Sequence, residues 1–427
     1  MDLRRVDQLP QYVFSRIDEL KDEVAARGAG VIDFGIGSPD VPTPAAVIER
    51  LVAEAREPRN HGYPTSAGMI EVREALTAWY ERRHGVRLDA ASQTLVTWGT
   101  SEALAHLPWV LLGPGDTALV PEPCYPIHRY TVQFSGAEAL PVPMWPAGAG
   151  SADGGGPGTA GEPAFDLAGE VEAAWRGAHT KPRVVLLSFP HNPTTCCVEL
   201  DDLERLVAFA RACDVVVVHD FAYADIAFDG YRPPSILQAP GAADVAVELV
   251  SLSKSHNMAG WRLGFVAGNA QVIAGLARLK SYLDYGVTKA VQLMALTALD
   301  ECDEVPARMA ATYQKRRDLL CDGLTARGWP VARPRGTMFV WARIPHAFRA
   351  RGSLAFTELL LREAHVAVSP GVGFTAGPDA GRGSWADEHV RFALVQPEER
   401  LETALDAIAR VLRAGPPGSD RRSEEKR

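Results

Sequence analysis

Cysteine is scarce in this chain, with six among 427 residues: Cys124, Cys196, Cys197, Cys213, Cys302 and Cys321. They form no CxxC pair and no His/Cys cluster at metal-ligand spacing. A disulfide framework and a metal centre are therefore not expected, and buried or free thiols in a reducing compartment are. Long apolar runs are also missing. No window reaches membrane-spanning length, and the opening "MDLRRVDQLPQYVFSRIDELK" has charges where a signal peptide would have its apolar core. Positive charge is in deficit: 44 Lys and Arg against 53 Asp and Glu give a formal net charge of −9. That balance argues against nucleic acid or an anionic membrane as the main partner. These absences leave a cytoplasmic globular protein as the expectation.

What is present is ordinary in bulk: 47% apolar and 23% charged residues. The length suits one large domain plus a smaller one. Short runs rich in valine and leucine punctuate the middle of the chain: "TLVTW" (94–98), "TALVP" (117–121), "RVVLLSF" (183–189), "VVVVHD" (215–220) and "VELVSLS" (247–253). Between two of them, "DDLERLVAFARACD" places Leu203, Leu206, Val207 and Ala210 on one helical face, opened by capping aspartates. Strands apolar at successive positions and interleaved with helices predict an α/β fold with a mostly parallel sheet covered on both faces. A Gly/Ala-rich insertion (146–163) and a charged tail (415–427) read as a surface loop and a disordered end. Beyond about residue 300, long helices and the runs "GTMFVWARI" (336–344), "VAVSPG" (366–371) and "VRFALV" (390–395) suggest a smaller α+β domain. The expected division is an N-terminal arm (1–47), a large domain (48–300) and a small domain (301–414).

In an open parallel sheet, ligands gather outside the carboxyl ends of the strands. Four of these runs end in complementary polar residues. "TLVTW" leads into Gly99-Thr100-Ser101, a small hydroxylated turn that opens a helix and makes a ready anion site. "VVLLSF" leads to Asn192, "VVVVH" ends on Asp220 with Tyr223 three residues on, and "VELVSL" ends on Ser253-Lys254. Each is commonplace alone, as a cap, a turn or a solvated charge. Their convergence on one sheet edge is not. Pyridoxal phosphate would use them all: a lysine amine for an imine, a carboxylate to keep its ring nitrogen protonated, and donors for its phenolic oxygen. Hydroxyls, an arginine and a helix N-terminus would suit its phosphate. Lys254 is then the imine lysine, with Ser251 and Arg262 directed to the phosphate.

The stretch "SLSKSHNMAGWRLG" resembles the lysine signature of the class I pyridoxal-phosphate aminotransferases at every constrained position. The likeness extends from about Val6 to Leu412. It is nearest to the bacterial glutamate–pyruvate (alanine-forming) aminotransferases, through "IDFGIGSPDVPTP", "HGYPTSAG", "YPIHRY", "VVHDFAYADIAFDG", "SKSHNMAGWRLGF" and "HVRFALV". The resemblance implies the fold-type I architecture, whose large domain carries a seven-stranded sheet. It implies that Lys254 holds the cofactor and shuttles a proton, that Asp220 pairs with the pyridine nitrogen, and that Asn192 and Tyr223 bond the phenolic oxygen. Tyr125 would stack over the ring, while Gly99, Thr100, Ser101, Ser251 and Arg262 would hold the phosphate. Tyr63 would reach the phosphate of a neighbouring subunit, which implies a homodimer with shared sites. Arg391 would take the substrate α-carboxylate, approached by the backbone of Gly37. The implied substrates are an L-amino acid and a 2-oxo acid.

Two positions bear on the substrate. In the LL-diaminopimelate branch of the family, the place of Ser66 holds a glutamate that recognises the distal amino group, so Ser66 disfavours that substrate. Lys289, in "DYGVTKAVQ", is either a surface lysine or a cation suited to the distal carboxylate of glutamate or 2-oxoglutarate. His191 and His256 lie near the motifs and receive no role. Oxidases, lyases and secondary-metabolism aminotransferases share the fold and the lysine signature. A transcription regulator built on it would need a DNA-binding domain ahead of "VIDFGIG", which only about thirty residues precede.

Overall fold

The computed structural model describes residues 13–28, 30–144, 165–376 and 383–417. The expected insertion at 146–163 and most of the expected tail lie outside these residues. Among the described residues, twelve strands occur in chain order. The first six are β1 (Ile32–Asp33), β2 (Thr94–Thr97), β3 (Thr117–Glu122), β4 (Glu138–Pro143), β5 (Val184–Leu187) and β6 (Val216–Asp220). They are followed by β7 (Ala246–Ser251), β8 (Gly264–Gly268), β9 (Phe339–Arg343), β10 (Val366–Ala367), β11 (Ser369–Pro370) and β12 (His389–Ala393).

Seven of these form one sheet in the order β2-β8-β7-β6-β5-β3-β4. Only β8 runs against its neighbours; the pairings from β4 to β7 are all parallel. The central strands are buried on both faces because successive side chains alternate between two apolar layers. Val185, Leu187, Val217 and Val250 join one cluster, with Trp79, Leu203 and Leu206 from the covering helices. Val184, Leu186, Val218 and Leu249 join the other, with Leu104, Leu107 and Leu276. Two strands of this sheet, β4 and β8, are absent from the sequence-based reading.

The helix Leu200–Cys213 buries Leu203, Leu206, Val207 and Ala210, as its periodicity requires. Its cap differs from expectation. Glu199 is the capping residue and Asp202 returns the bond to the Glu199 N–H, so the two aspartates occupy the first turn instead of capping it.

A smaller antiparallel sheet, β11-β12-β9, and the parallel pair β1-β10 lie beyond the large sheet. Helix Val13–Ala26 packs Ile17, Leu20 and Val24 against Leu361 and Ala367. All six cysteines are free thiols. No helix among the described residues is long and apolar enough to cross a membrane. The carboxyl ends of β2, β5, β6 and β7 and the segment after β1 all border one cavity of about 490 Å³.

Candidate active site

Strand β7 ends at Ser251, whose hydroxyl accepts the Ser253 N–H at 3.2 Å and opens the single turn Leu252–Ser255. That turn aims Lys254 into the cavity, where its Nζ donates to the Gly37 carbonyl at 2.6 Å. Burial lowers the Lys254 ammonium from 10.5 to about 8, helped by the Arg391 and Arg262 charges and opposed by Asp220. An amine poised near 8 is substantially neutral at mildly alkaline pH, as a nucleophile and proton carrier must be.

Asp220 closes β6 and is buried. One oxygen, Oδ2, lies 3.0 Å from His128 Nε2. The other, Oδ1, is buried with no hydrogen-bond partner among the described residues. A buried carboxylate oxygen left in this state is costly unless a ligand donor completes it. Tyr223 borders the same cavity, and burial raises its phenol well above the usual range, so it remains a donor. Tyr125 stands at the N-terminus of helix Pro126–Phe134 and meets His128 edge to face.

At the end of β2, Gly99 turns the chain with φ +68 and starts helix Gly99–Leu111. A side chain there would be strained, and its Cβ would meet an Arg262 terminal nitrogen at 2.8 Å. A Cβ on Gly264 would press on the Gly99 and Thr100 backbone at 2.8 Å. Thr100, Ser101, Ser251 and Arg262 all border the cavity at this end. A helix N-terminus, three hydroxyls and a guanidinium form a cradle for a phosphate.

The opposite end belongs to Arg391, which β12 carries inward. It donates to Asn192 Oδ1 at 2.7 Å, to the Gly35 carbonyl at 3.0 Å and to Ser369 Oγ at 3.2 Å. Its guanidinium lies 4.0 Å from the centre of the Phe339 ring and 4.7 Å from that of Phe374. Phe339 also explains Gly37, since a Cβ there would stand 2.7 Å from the ring.

The aminotransferase class I and II family model matches residues 29–408. The chain belongs to that family. It is 45% identical to the glutamate-pyruvate aminotransferase AlaC of Escherichia coli K12, over 96% of this chain and 93% of that protein. It is 38% identical to an LL-diaminopimelate aminotransferase of Moorella thermoacetica, over 96% of this chain and 98% of that one. Among solved structures, substrate-bound BacF of Bacillus subtilis superposes with TM-score 0.83 at 30% identity, covering 97% and 98% of the two chains. The protein is thus a pyridoxal-phosphate-dependent aminotransferase of fold type I, acting on an amino acid and a 2-oxo acid.

The aminotransferase cavity fits that cofactor residue by residue. Lys254 offers an amine for the imine, the orphaned Oδ1 of Asp220 suits a ring N–H, and the Gly99 cradle suits the phosphate. Asn192 and Tyr223 lie in the same cavity, although Asn192 is engaged with Arg391. Tyr63 and Lys289 are not part of the cavity lining of their own chain. Tyr63 is 86% exposed and packs on Tyr285 at 5.5 Å, while Lys289 Nζ donates to the Arg59 carbonyl at 3.3 Å. His191 and His256 are buried in local bonds to Thr194 and Ser255. Burial holds them near 3 and near 4, well below the ordinary histidine value. Sequence reasoning missed His128. Its signal was present in "YPIHRY", where spacing three from Tyr125 puts both residues on one helix face.

Proposed function

We propose that this aminotransferase exchanges the amino group between the alanine/pyruvate and glutamate/2-oxoglutarate pairs, in a homodimer whose active sites are shared across the interface. The observation that carries the chemistry is the shared cavity of Lys254, the orphaned Asp220 Oδ1 and Arg391. The substrate pair rests on the likeness to AlaC and on Ser66 at the position where the diaminopimelate branch has its glutamate.

Pyridoxal phosphate, when bound, supplies an electron sink for the charge left at the substrate Cα. The residues of this chain do the rest. Arg391 binds the α-carboxylate through its planar fork, with Asn192 and the Gly35 carbonyl fixing its orientation. Lys254 would hold the cofactor, and its Nζ, once freed, would take the substrate Cα proton and pass it on within the site. Asp220 would keep a proton on the ring nitrogen through the unpartnered Oδ1, while His128 occupies Oδ2. Phe339 and Phe374 exclude water from the carboxylate end.

Support for the dimer comes from an exposed aromatic face. Tyr63, Tyr282, Leu283 and Tyr285 all point outward, an arrangement that favours association with a second copy. Lys289 lies beside this face, 3.8 Å from where a Cβ on Gly62 would stand. There it would offer a cation to the distal carboxylate in the neighbouring site. A cytoplasmic location accords with six free thiols.

Mixing the purified holoenzyme with single amino acids tests the reading. Alanine and glutamate should each bleach the cofactor band, and pyruvate or 2-oxoglutarate should restore it. LL-diaminopimelate should do neither. A response to LL-diaminopimelate with none to alanine would overturn the substrate assignment. Oxygen uptake or ammonia release would overturn transamination.

A further inference from the structure

The segment from Asp33 to Asp40 passes the cavity as a strap, bordering it through Asp33, Gly35, Ile36 and Gly37, and two of its carbonyls face the two ends of the site. The Gly35 carbonyl accepts from Arg391 at 3.0 Å, and the Gly37 carbonyl accepts from Lys254 at 2.6 Å. We infer that Asp33 is a positioning residue for Arg391, acting through the Gly35 carbonyl, and that Lys21 holds Asp33 in place. This inference rests on the reading in which Arg391 receives the substrate carboxylate.

Glycine has the widest backbone freedom, so a glycine carbonyl holds a direction only if something else fixes its peptide groups. At Gly35 that fixing comes from outside. Its N–H donates to Asp33 Oδ1 at 2.7 Å, and its carbonyl also accepts from Ser369 Oγ at 2.8 Å. The other oxygen of Asp33, Oδ2, receives Lys21 Nζ at 2.9 Å, and Lys21 meets Asp18 at 2.5 Å as well. The Asp33 backbone carbonyl accepts Gln396 Nε2 at 2.8 Å. Asp33 is therefore held at two oxygens, Oδ2 and the backbone carbonyl, and passes its position to the Gly35 N–H through the third.

The pair is placed to act on substrate entry. Lys21 is on the helix whose Phe14, Ile17 and Asp18 border the cavity with it. Side-chain exposures of 18% for Lys21 and 28% for Asp33 put the pair at the partly screened edge of the cavity, not on open surface. The far end of the strap is anchored independently, where Arg316 clasps both oxygens of Asp40 at 2.8 Å. Loss of the Asp33 contact thus releases the Gly35 N–H at the end that faces Arg391, and leaves Ser369 Oγ and the Phe34 backbone bonds as the remaining anchors there.

The test uses holoenzyme variants, with propionate as a carboxylate that cannot react. Its dissociation constant is measured by calorimetry, beside KM and kcat for alanine and glutamate. Asp33→Ala should weaken propionate about tenfold and raise both KM values together, with kcat within about twofold. Asp33→Asn keeps an oxygen for the Gly35 N–H and should lose about threefold or less. Lys21→Met should fall between parent and Asp33→Ala, and it carries the test if Asp33→Ala does not fold. Arg391→Lys is the control. Weakening by Arg391→Lys without any by Asp33→Ala or Lys21→Met would overturn this inference alone. No weakening by Arg391→Lys would overturn the carboxylate reading and the inference with it.

Discussion

His128 Nε2 and Asp220 Oδ2 stand 3.0 Å apart, and that contact decides which oxygen of the carboxylate is left for a ligand. With Oδ2 engaged, Oδ1 is the buried acceptor without a partner. His128→Phe keeps the bulk and removes the donor. A buried acceptor stripped of its partner costs about 1–3 kcal/mol, so kcat for alanine should fall by about five- to 160-fold. Asp220→Asn should cost more than about a hundredfold, because the amide cannot hold a ring proton as a carboxylate does. An unchanged kcat in His128→Phe would show that the contact does not select the oxygen.

The depressed Lys254 ammonium gives the apoprotein a pH signature. Its folded value is about 8, below its unfolded value of 10.5, so the unfolded chain binds more protons between those two values. This group's penalty is fully present below about 8 and disappears as pH rises toward 10.5. Lys254→Met should therefore make the apoprotein more stable at pH 7, by on the order of a few kcal/mol, with the gain fading by pH 10.5. Urea unfolding at the two pH values measures it. Lys254→Ala should bind cofactor yet lose turnover by several orders of magnitude. Retention within about tenfold, roughly 1.4 kcal/mol of barrier, would refute the assignment.

Shared sites can be read from hybrid dimers. A Tyr63→Phe subunit paired with a Lys254→Ala subunit regains one site of parental composition. Mixtures should then exceed the average activity of the two separate variants. Strictly additive activity, or a fully active monomer in sedimentation, would remove the case for Tyr63 at a neighbouring phosphate.

Arg391 and Lys289 should separate general from selective recognition. Arg391→Lys should raise KM for every amino acid together, since an ammonium cannot reproduce the planar fork. Lys289→Ala should raise KM for glutamate and 2-oxoglutarate and leave alanine and pyruvate nearly unchanged. An exposed pair would contribute under about 1 kcal/mol and a desolvated one several, so the size of the change measures how dry the contact is. Equal response of both substrates would place specificity elsewhere.

The legible parts of the sequence were those with local signatures. Strands β5, β6 and β7 announce themselves because both faces are buried and runs of valine, leucine and alanine dominate them. Strand β4, "EALPVP", was missed because it lies at the sheet edge, half-exposed and interrupted by prolines. Strand β8, "GFVAG", is short and glycine-bounded, and it follows at once on the lysine motif. Among site residues, those at strand ends could be read from the pattern. The partners of Arg391 could not, because Asn192 is 199 positions away and Gly35 is 356 away. Nothing local marks such contacts.

The crowding around Gly99 carries a consequence for divergence. A methyl group at Gly99 would strike Arg262, and one at Gly264 would strike the Gly99 and Thr100 backbone. The phosphate end therefore has no room for a side chain at either glycine, and one placed there would displace the groups suited to hold the phosphate. Ile36, 57% exposed on the cavity rim, has space around it. New substrate preferences can arise at the rim, while the grip on phosphate stays frozen beneath it.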